Sequence, residues 1–270
     1  MKNELTLREI QKSSLDILKE VDFICKKLNL DYFIMYGTLI GAIRHKGFIP
    51  WDDDLDIMMP RPDYNRLIDY FSAHESKHLK LLNYNNCDLY PYMITRISDT
   101  RFKIIVENEE EYGIGTFIDV YPLDSISNYK FIALIKGRVL GWLSSLYFLS
   151  TRINCPIPCS ESKHRHLLKL VSFRISKLIG KRFLKKLLLI NKYEKTKYMA
   201  CMQWMTNDYK RNIFETDLIS GRTSVSFEEF NVPVPLRFHE ILKKYYGDYM
   251  QFPPKELQKP HHLYKAYRIK

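Results

Sequence analysis

The stretch GFIPWDDDLDIMMPRPDY, residues 47–64, sets Asp52, Asp53, Asp54 and Asp56 within five positions and then runs into apolar residues. Like charges at this spacing repel, and a carboxylate beside a buried strand is costly to desolvate. The chain must either leave these groups in water as a turn or meet them with a cation. Alternation favours the second solution. A period of two puts Asp54 and Asp56 on one face of a strand and Leu55 and Ile57 on the other. Two carboxylates side by side suit a hard divalent cation, Mg²⁺ or Mn²⁺, which prefers carboxylate and phosphate oxygens.

The residues upstream fit a phosphate. DYFIMYG (31–37) has the apolar run and terminal glycine of a short buried strand, and TLIGAIRH follows as a helix starting directly after Gly37. Gly37 and Thr38 at a helix start offer backbone N–H groups, a hydroxyl and the positive dipole end. They also make an ordinary cap, which has the same geometry. Arg44, His45 and Lys46 close that helix and could neutralise a diphosphate, or serve only as the favoured cations of a solvated helix end. GTFIDVYPLD supplies a third carboxylate, Asp119, in the middle of an apolar strand where a lone buried charge is hard to justify without a metal. Strand, glycine-led turn, Asp-x-Asp and a later Asp together describe a metal–phosphate site suited to in-line displacement at phosphorus.

Residues 1–124 read as a mixed α/β unit. It opens with a helix capped by Thr6 and Glu9 and patterned by Leu7, Ile10, Ile17, Val21, Ile24 and Leu28. LDIMM, YMITRIS, FKIIVEN and TFIDVYP follow as strands, with DYNRLIDYFSAH as a helix between the first two. Residues 125–220 turn helical and basic, a helical insertion or subdomain. Residues 221–270 complete the core, with strand and turn in FEEFNVPVP and a last helix, LRFHEILKKYYG, stopped by glycine.

The net charge of +11 directs the chain toward anionic partners. The N-terminus lacks the apolar core of a signal peptide. The five cysteines are scattered and odd in number, which fits reduced thiols and a cytoplasmic protein. The most apolar window, 131–150, is interrupted by Lys136 and Arg138, so it reads as a buried or interfacial helix and not a crossing. With the basic segment after it, this window suggests peripheral contact with an anionic membrane. The alternative is a solvated helix face. Cys155, Cys159, His164 and His166 could hold zinc, although their spacing fits no standard finger and the prolines explain the turn.

The long string YGTLIGAIRHKGFIPWDDDLDIMMPRPDY, then GTFIDVYPLD, then YYGDYMQFPP resembles the LicD family of bacterial phosphocholine transferases, whose animal relatives include the fukutin-type ribitol-phosphate transferases. The match covers the first ~125 residues and the last ~45, and nothing in the helical middle. The resemblance implies a nucleotidyltransferase-like mixed sheet with flanking helices. It also implies transfer from a CDP-alcohol donor to a sugar hydroxyl of a cell-surface glycan precursor, such as teichoic acid, lipopolysaccharide or capsule, with CMP leaving. By this resemblance Asp54, Asp56 and Asp119 are the catalytic residues and ligands of Mg²⁺ or Mn²⁺, Asp119 being a ligand or the base. Asp52, Gly37, Thr38, Arg44, His45 and Lys46 would serve the donor. Asp53 fills a variable slot, and YYGDYMQFPP would wall the donor site.

The nearest alternative is the same fold moving phosphoribitol, phosphoglycerol or phosphoethanolamine. A reading from another class is a silent basic module for membrane or nucleic acid. The acidic triad argues against nucleic acid, because carboxylates repel phosphate when no metal is present.

Overall fold

A computed structural model describes residues 4–74, 76–156, 163–189, 194–206, 208–260 and 264–269, with the side chains of 163–165 left aside. The zinc expectation rests on Cys159 and His164 and so lies outside the described side chains. Helix α1 (Leu7–Leu28) starts as the sequence predicts: the Thr6 side chain caps Glu9 and the Glu9 carboxylate returns to the Thr6 backbone. Ile17, Leu18 and Val21 bury its apolar face completely or nearly so, which is worth about 1.5–3 kcal/mol for each large side chain.

The other elements are, in order, β1 (Phe33–Ile34), α2 (Tyr36–Ile40), β2 (Asp56–Pro60), α3 (Arg61–Ala73), β3 (Leu79–Leu82), β4 (Thr95–Asp99), β5 (Phe102–Val106) and β6 (Thr116–Ser127). Then follow α4 (Lys130–Thr151), α5 (Lys163–Ile179), α6 (Lys181–Leu188), β7 (Tyr198–Ala200), β8 (Ile213–Glu215), α7 (Thr216–Ile219), β9 (Arg222–Phe227), β10 (Phe230–Pro235), α8 (Phe238–Tyr246) and β11 (Tyr264–Arg268). The expected mixed α/β class is what forms. Its main sheet runs β1-β2-β6-β4-β3, with β7 and β8 added on β6. β2 and β6 are parallel while β6 and β4 are antiparallel. β6 is long enough to serve both halves: residues 116–123 pair with β4 and β2, and Asp124–Ser127 pair with β7.

Two local readings are corrected. The strand expected over 31–37 is only two residues long, and the next helix begins at Tyr36, before Gly37 and not after it. Its continuation, Gly41–His45, widens into a π-turn. LRFHEILKKYYG forms α8, the last α-helix among the described residues, and ends at Gly247 with φ 66°, as a C-cap glycine should. β11 follows and pairs with β5 about 160 residues away in sequence, at Tyr264↔Val106 through Arg268↔Phe102. No short-range pattern announces such a pairing.

Helix α1 crosses the sheet and holds it by polar bonds. Ser13 meets Thr116 at 2.6 Å, and Ser14 donates to the Phe117 carbonyl at 3.1 Å. Gln11 donates to the carbonyls of Ile49 and Asp52 at 3.3 and 2.9 Å, so the acidic loop is pinned by its backbone before β2 begins.

Candidate active site

Register assembles the site. Asp56 opens β2 directly opposite Asp119 on the parallel strand β6, and Asp119 lies opposite Arg96 on the antiparallel strand β4. Partners opposite one another in a sheet share a face, so three charged residues stand in one row across three strands. All three are buried, at 3–5% exposure. Arg96 Nε donates to Asp119 Oδ1 at 2.7 Å, and its guanidinium is sandwiched between the rings of Tyr92 and Phe117, at 4.0 and 3.9 Å. Burial works against the Arg96 charge. Asp119, then Tyr92, Tyr90 and Tyr112, outweigh it and hold the guanidinium well above its usual range. The lone charge in the YMITRIS strand was the signal that could have revealed Arg96, being the same signal that singled out Asp119.

The Asp56 carboxyl is pushed well above the usual carboxylate range, first by burial and then by the charges of Asp54, Asp119 and Asp52, with Arg96 opposing. Asp56 therefore feels three other carboxylates, two of them, Asp52 and Asp54, from the opening string. Asp54 is half-buried and precedes β2, while Leu55 and Ile57 are fully buried. The ladder continues one step past the strand, where the Asp119 N–H donates to the Leu55 carbonyl at 2.9 Å. Asp53 proves as buried as Asp52, and its carbonyl accepts from the Tyr264 hydroxyl at 2.9 Å, tying β11 to the acidic loop.

The donor residues separate into two groups. Gly37 packs against the acidic loop: a Cβ there would stand 2.6 Å from Asp52 Oδ2 and push that carboxylate aside. The Thr38 hydroxyl is buried and accepts from the Asp56 N–H at 2.9 Å, so it fixes the start of β2. Arg44 donates to the carbonyls of Tyr249 and Gln251 at 2.7 and 3.1 Å and packs on the Phe252 ring at 4.8 Å. His45 meets the rings of Trp51 and Phe252 edge-on. The motif ending in FPP thus joins the acidic motif through Arg44 and His45. Lys46 stands apart: it is exposed, left-handed at φ 61°, and its carbonyl accepts from the Glu228 N–H at 2.7 Å.

Two cavities border the cluster. One of about 280 Å³ is lined by Asp56 with Tyr36, Tyr121, Tyr245, Trp204 and Arg211 among others. Tyr36 meets Tyr121 and Tyr245 edge-on at 5.2 and 5.6 Å. Tyr36 is held at φ 53°, a left-handed conformation costly for a side chain of its size. Its hydroxyl meets Asn212 Oδ1 at 3.3 Å. The second cavity, of about 840 Å³, is bounded by Arg44, Trp51, Tyr246, Tyr249, Phe252 and Lys259. Crowding around the Tyr246 hydroxyl, then the charges of Asp56, Asp52 and Asp54, raise its phenol. Tyr245 and Tyr246, neighbours in α8, therefore wall one cavity each. Of these wall residues Tyr36, Arg44, Trp51 and Tyr121 lie in the acidic strings and Tyr245, Tyr246, Tyr249 and Phe252 in YYGDYMQFPP, whereas no string pointed to Trp204, Arg211 or Lys259.

A divalent ion fits the donor chemistry here: the carboxylates are hard oxygen donors, and the charge crowded around Asp56 is what a cation relieves. Among the described residues no three His, Cys, Asp or Glu side chains converge as a preformed metal cage, and Asp119 is already engaged by Arg96. An ion entering between Asp54, Asp56 and Asp119 would have to share Asp119 with Arg96.

With this geometry in place, the comparisons with known proteins are informative. Residues 29–133, which hold the whole acidic row, match the family model described as LicD/FKTN/FKRP, nucleotidyltransferase domain. The chain is 30% identical over 271 aligned residues, 98% of each chain, to the lipopolysaccharide cholinephosphotransferase LicD of Haemophilus influenzae. It is also 36% identical to the uncharacterized protein RT0683 of Rickettsia typhi over 45% of this chain and 38% of that one. To RP689 of Rickettsia prowazekii it is 45% identical over 43% of this chain and 45% of that one. An end-to-end relative at this identity, with the family model over the acidic row, establishes that the chain belongs to the LicD family.

Proposed function

We propose that the chain is a transferase that moves phosphocholine from CDP-choline to a sugar hydroxyl of lipopolysaccharide. The observation that carries this reading is the end-to-end similarity to a lipopolysaccharide cholinephosphotransferase. In the reaction the sugar oxygen bonds to the choline-bearing phosphorus, the bridging P–O bond breaks, and CMP leaves. Mg²⁺ or Mn²⁺ held by Asp54, Asp56 and Asp119 would supply charge neutralisation at the diphosphate.

The chain's own residues have distinct tasks in this reading. Asp54, the least buried carboxylate of the triad, would meet the ion from the loop before β2, and Asp119 serves as a further ligand or as the base for the attacking hydroxyl. Arg96 holds Asp119 in place through its Oδ1. Trp51 and Phe252, with Arg44 between the ring and the tail, offer the larger cavity to the nucleotide. Tyr36, Tyr121, Tyr245 and Trp204 offer ring faces and edges in the smaller one, which suits a quaternary ammonium. Arg211 shares that smaller cavity, where Asp208 meets its charge at 3.0 Å, so the guanidinium already has a carboxylate partner in the lining.

The test is CMP release by the full chain from CDP-choline, CDP-ethanolamine, CDP-glycerol and CDP-ribitol, with lipopolysaccharide as acceptor and with Mg²⁺, Mn²⁺ or EDTA. We expect metal-dependent turnover of CDP-choline, lost in Asp56→Asn. Turnover of CDP-ribitol or CDP-glycerol alone would transfer the assignment to that group. No turnover and no metal-dependent CDP binding by calorimetry would leave a silent binding module.

A further inference from the structure

We propose that helices α4 and α5 form a face that docks the protein on an anionic membrane surface. The first observation is a repeated pattern. On α4, Phe131, Ile132, Ile135, Val139 and Trp142 are exposed, at 74, 42, 49, 50 and 59%. On α5, Leu167, Leu168, Val171, Ile175 and Leu178 are exposed, at 59, 54, 45, 43 and 87%. Both sets fall at the same offsets from their first residue. At 3.6 residues per turn each set occupies an arc of about 100°. Each stripe also carries an arginine seven residues from its start, Arg138 and Arg174, both exposed. The opposite side of α4 is buried through Ala133, Gly137, Gly141 and Ser144, so the stripe is the side that packing leaves over.

Charge identifies the occupant. Helices α4, α5 and α6 contain twelve Lys and Arg and no Asp or Glu, whereas the whole chain has a net charge of +11. The entire positive excess therefore sits on these three packed helices, and the rest of the chain is close to neutral. A second copy of the same face would bring like charges together. An anionic bilayer meets both properties, apolar stripe and basic flank. Of the described helices α4 alone is long and apolar enough to cross a membrane, but 39% of its most apolar window is buried inside the protein. Its C-terminal half, including Leu146, Tyr147 and Leu149, belongs to the protein core, so the helix lies on the surface and does not span it.

The face is also connected to the site. A third cavity, of about 480 Å³, opens between α4 and α5 past Trp142, Phe148 and Lys169. Trp204 and Thr206 wall this cavity and the one beside Asp56 alike. A substrate anchored in the bilayer would thus meet the site from the docked side.

The experiment is co-sedimentation of the full chain, without donor or acceptor, with vesicles of phosphatidylcholine alone or mixed with phosphatidylglycerol. Binding only to the anionic vesicles is expected, falling about fivefold for each of Arg138, Arg174 and Arg182 changed to Gln, all three exposed. Leu167→Ser/Val171→Ser/Leu178→Ser should weaken binding at least about tenfold by removing apolar area, with an unchanged melting temperature because all three are exposed. Failure to sediment, or equal sedimentation with neutral vesicles, overturns the proposal. So does a dimer in sedimentation velocity that the triple Ser variant breaks while vesicle binding persists. Because neither donor nor acceptor is present, a failed transfer assay leaves these outcomes untouched.

Discussion

Replacing Arg96 with Met is the sharpest test of how the acidic row is held. The Arg96 and Asp119 side chains are only 4% and 5% exposed and 2.7 Å apart, so they form a buried ion pair and not a surface one. Removing one partner of such a pair leaves the other charge uncompensated, at a cost of about 3–5 kcal/mol. The charge left behind here is Asp119, already beside Asp56. Met fills most of the slot between Tyr92 and Phe117, so the loss reads mainly charge and little cavity. For a chain of this size each kcal/mol moves the melting temperature by about 2 °C, giving an expected drop of about 6–10 °C by thermal unfolding in EDTA. Arg96→Met/Asp119→Leu, which removes both charges, should recover most of that drop. A divalent cation should raise the melting temperature of Arg96→Met more than that of the wild type, because it can replace the missing positive charge. A drop under about 2 °C in the single variant, or none recovered in the double, would refute the claim that this pair organises the row.

Three further outcomes are expected. Gly37→Ala should cut turnover while leaving a folded protein, since its Cβ meets only the carboxylate end of the Asp52 side chain, whereas Gly115→Ala should fail to fold because its Cβ meets the backbone carbonyls of Asp99 and Phe102; circular dichroism and CMP release separate the two. Cys25 and Cys201, whose thiols burial pushes up to about 12, should resist iodoacetamide at neutral pH until the chain unfolds, with the half-buried Cys87 and Cys155 labelled before them by mass spectrometry. The Glu228 carboxylate is held below its usual range by Arg8 and, beyond that, by the Phe48 N–H. Its stabilisation is therefore complete above the unfolded glutamate pKa and lost as pH falls through the lower folded value, so Glu228→Gln should flatten the acid side of the stability profile in pH-dependent melts.

Much of the chemistry was legible in local spacing. A strand at LDIMM, bounded by Pro60, was legible in a short window, although it begins at Asp56 and leaves Asp54 in the loop before it. The Thr6–Glu9 cap and the Gly247 stop are likewise contacts within one turn of chain. The order of the acidic strings placed the chain in its family before any fold was considered.

Other features depend on residues distant in sequence. That Asp56, Asp119 and Arg96 form one row is a matter of strand register, set by the packing of α1, β2, β4 and β6 together. The short reach of β1 and the early start of α2 come from the docking of Tyr36 among Tyr121, Tyr245 and Asn212, more than 80 residues downstream. Whether the apolar side chains of α4 and α5 are core or surface could not be read from their periodicity, because burial on one side of a helix is decided by what packs there. The sequence by itself determined that several carboxylates crowd beside an apolar strand, since that follows from their spacing along the chain. Only the tertiary structure decided which cation already stands there, Arg96, because a buried carboxylate takes whatever partner the neighbouring strand presents.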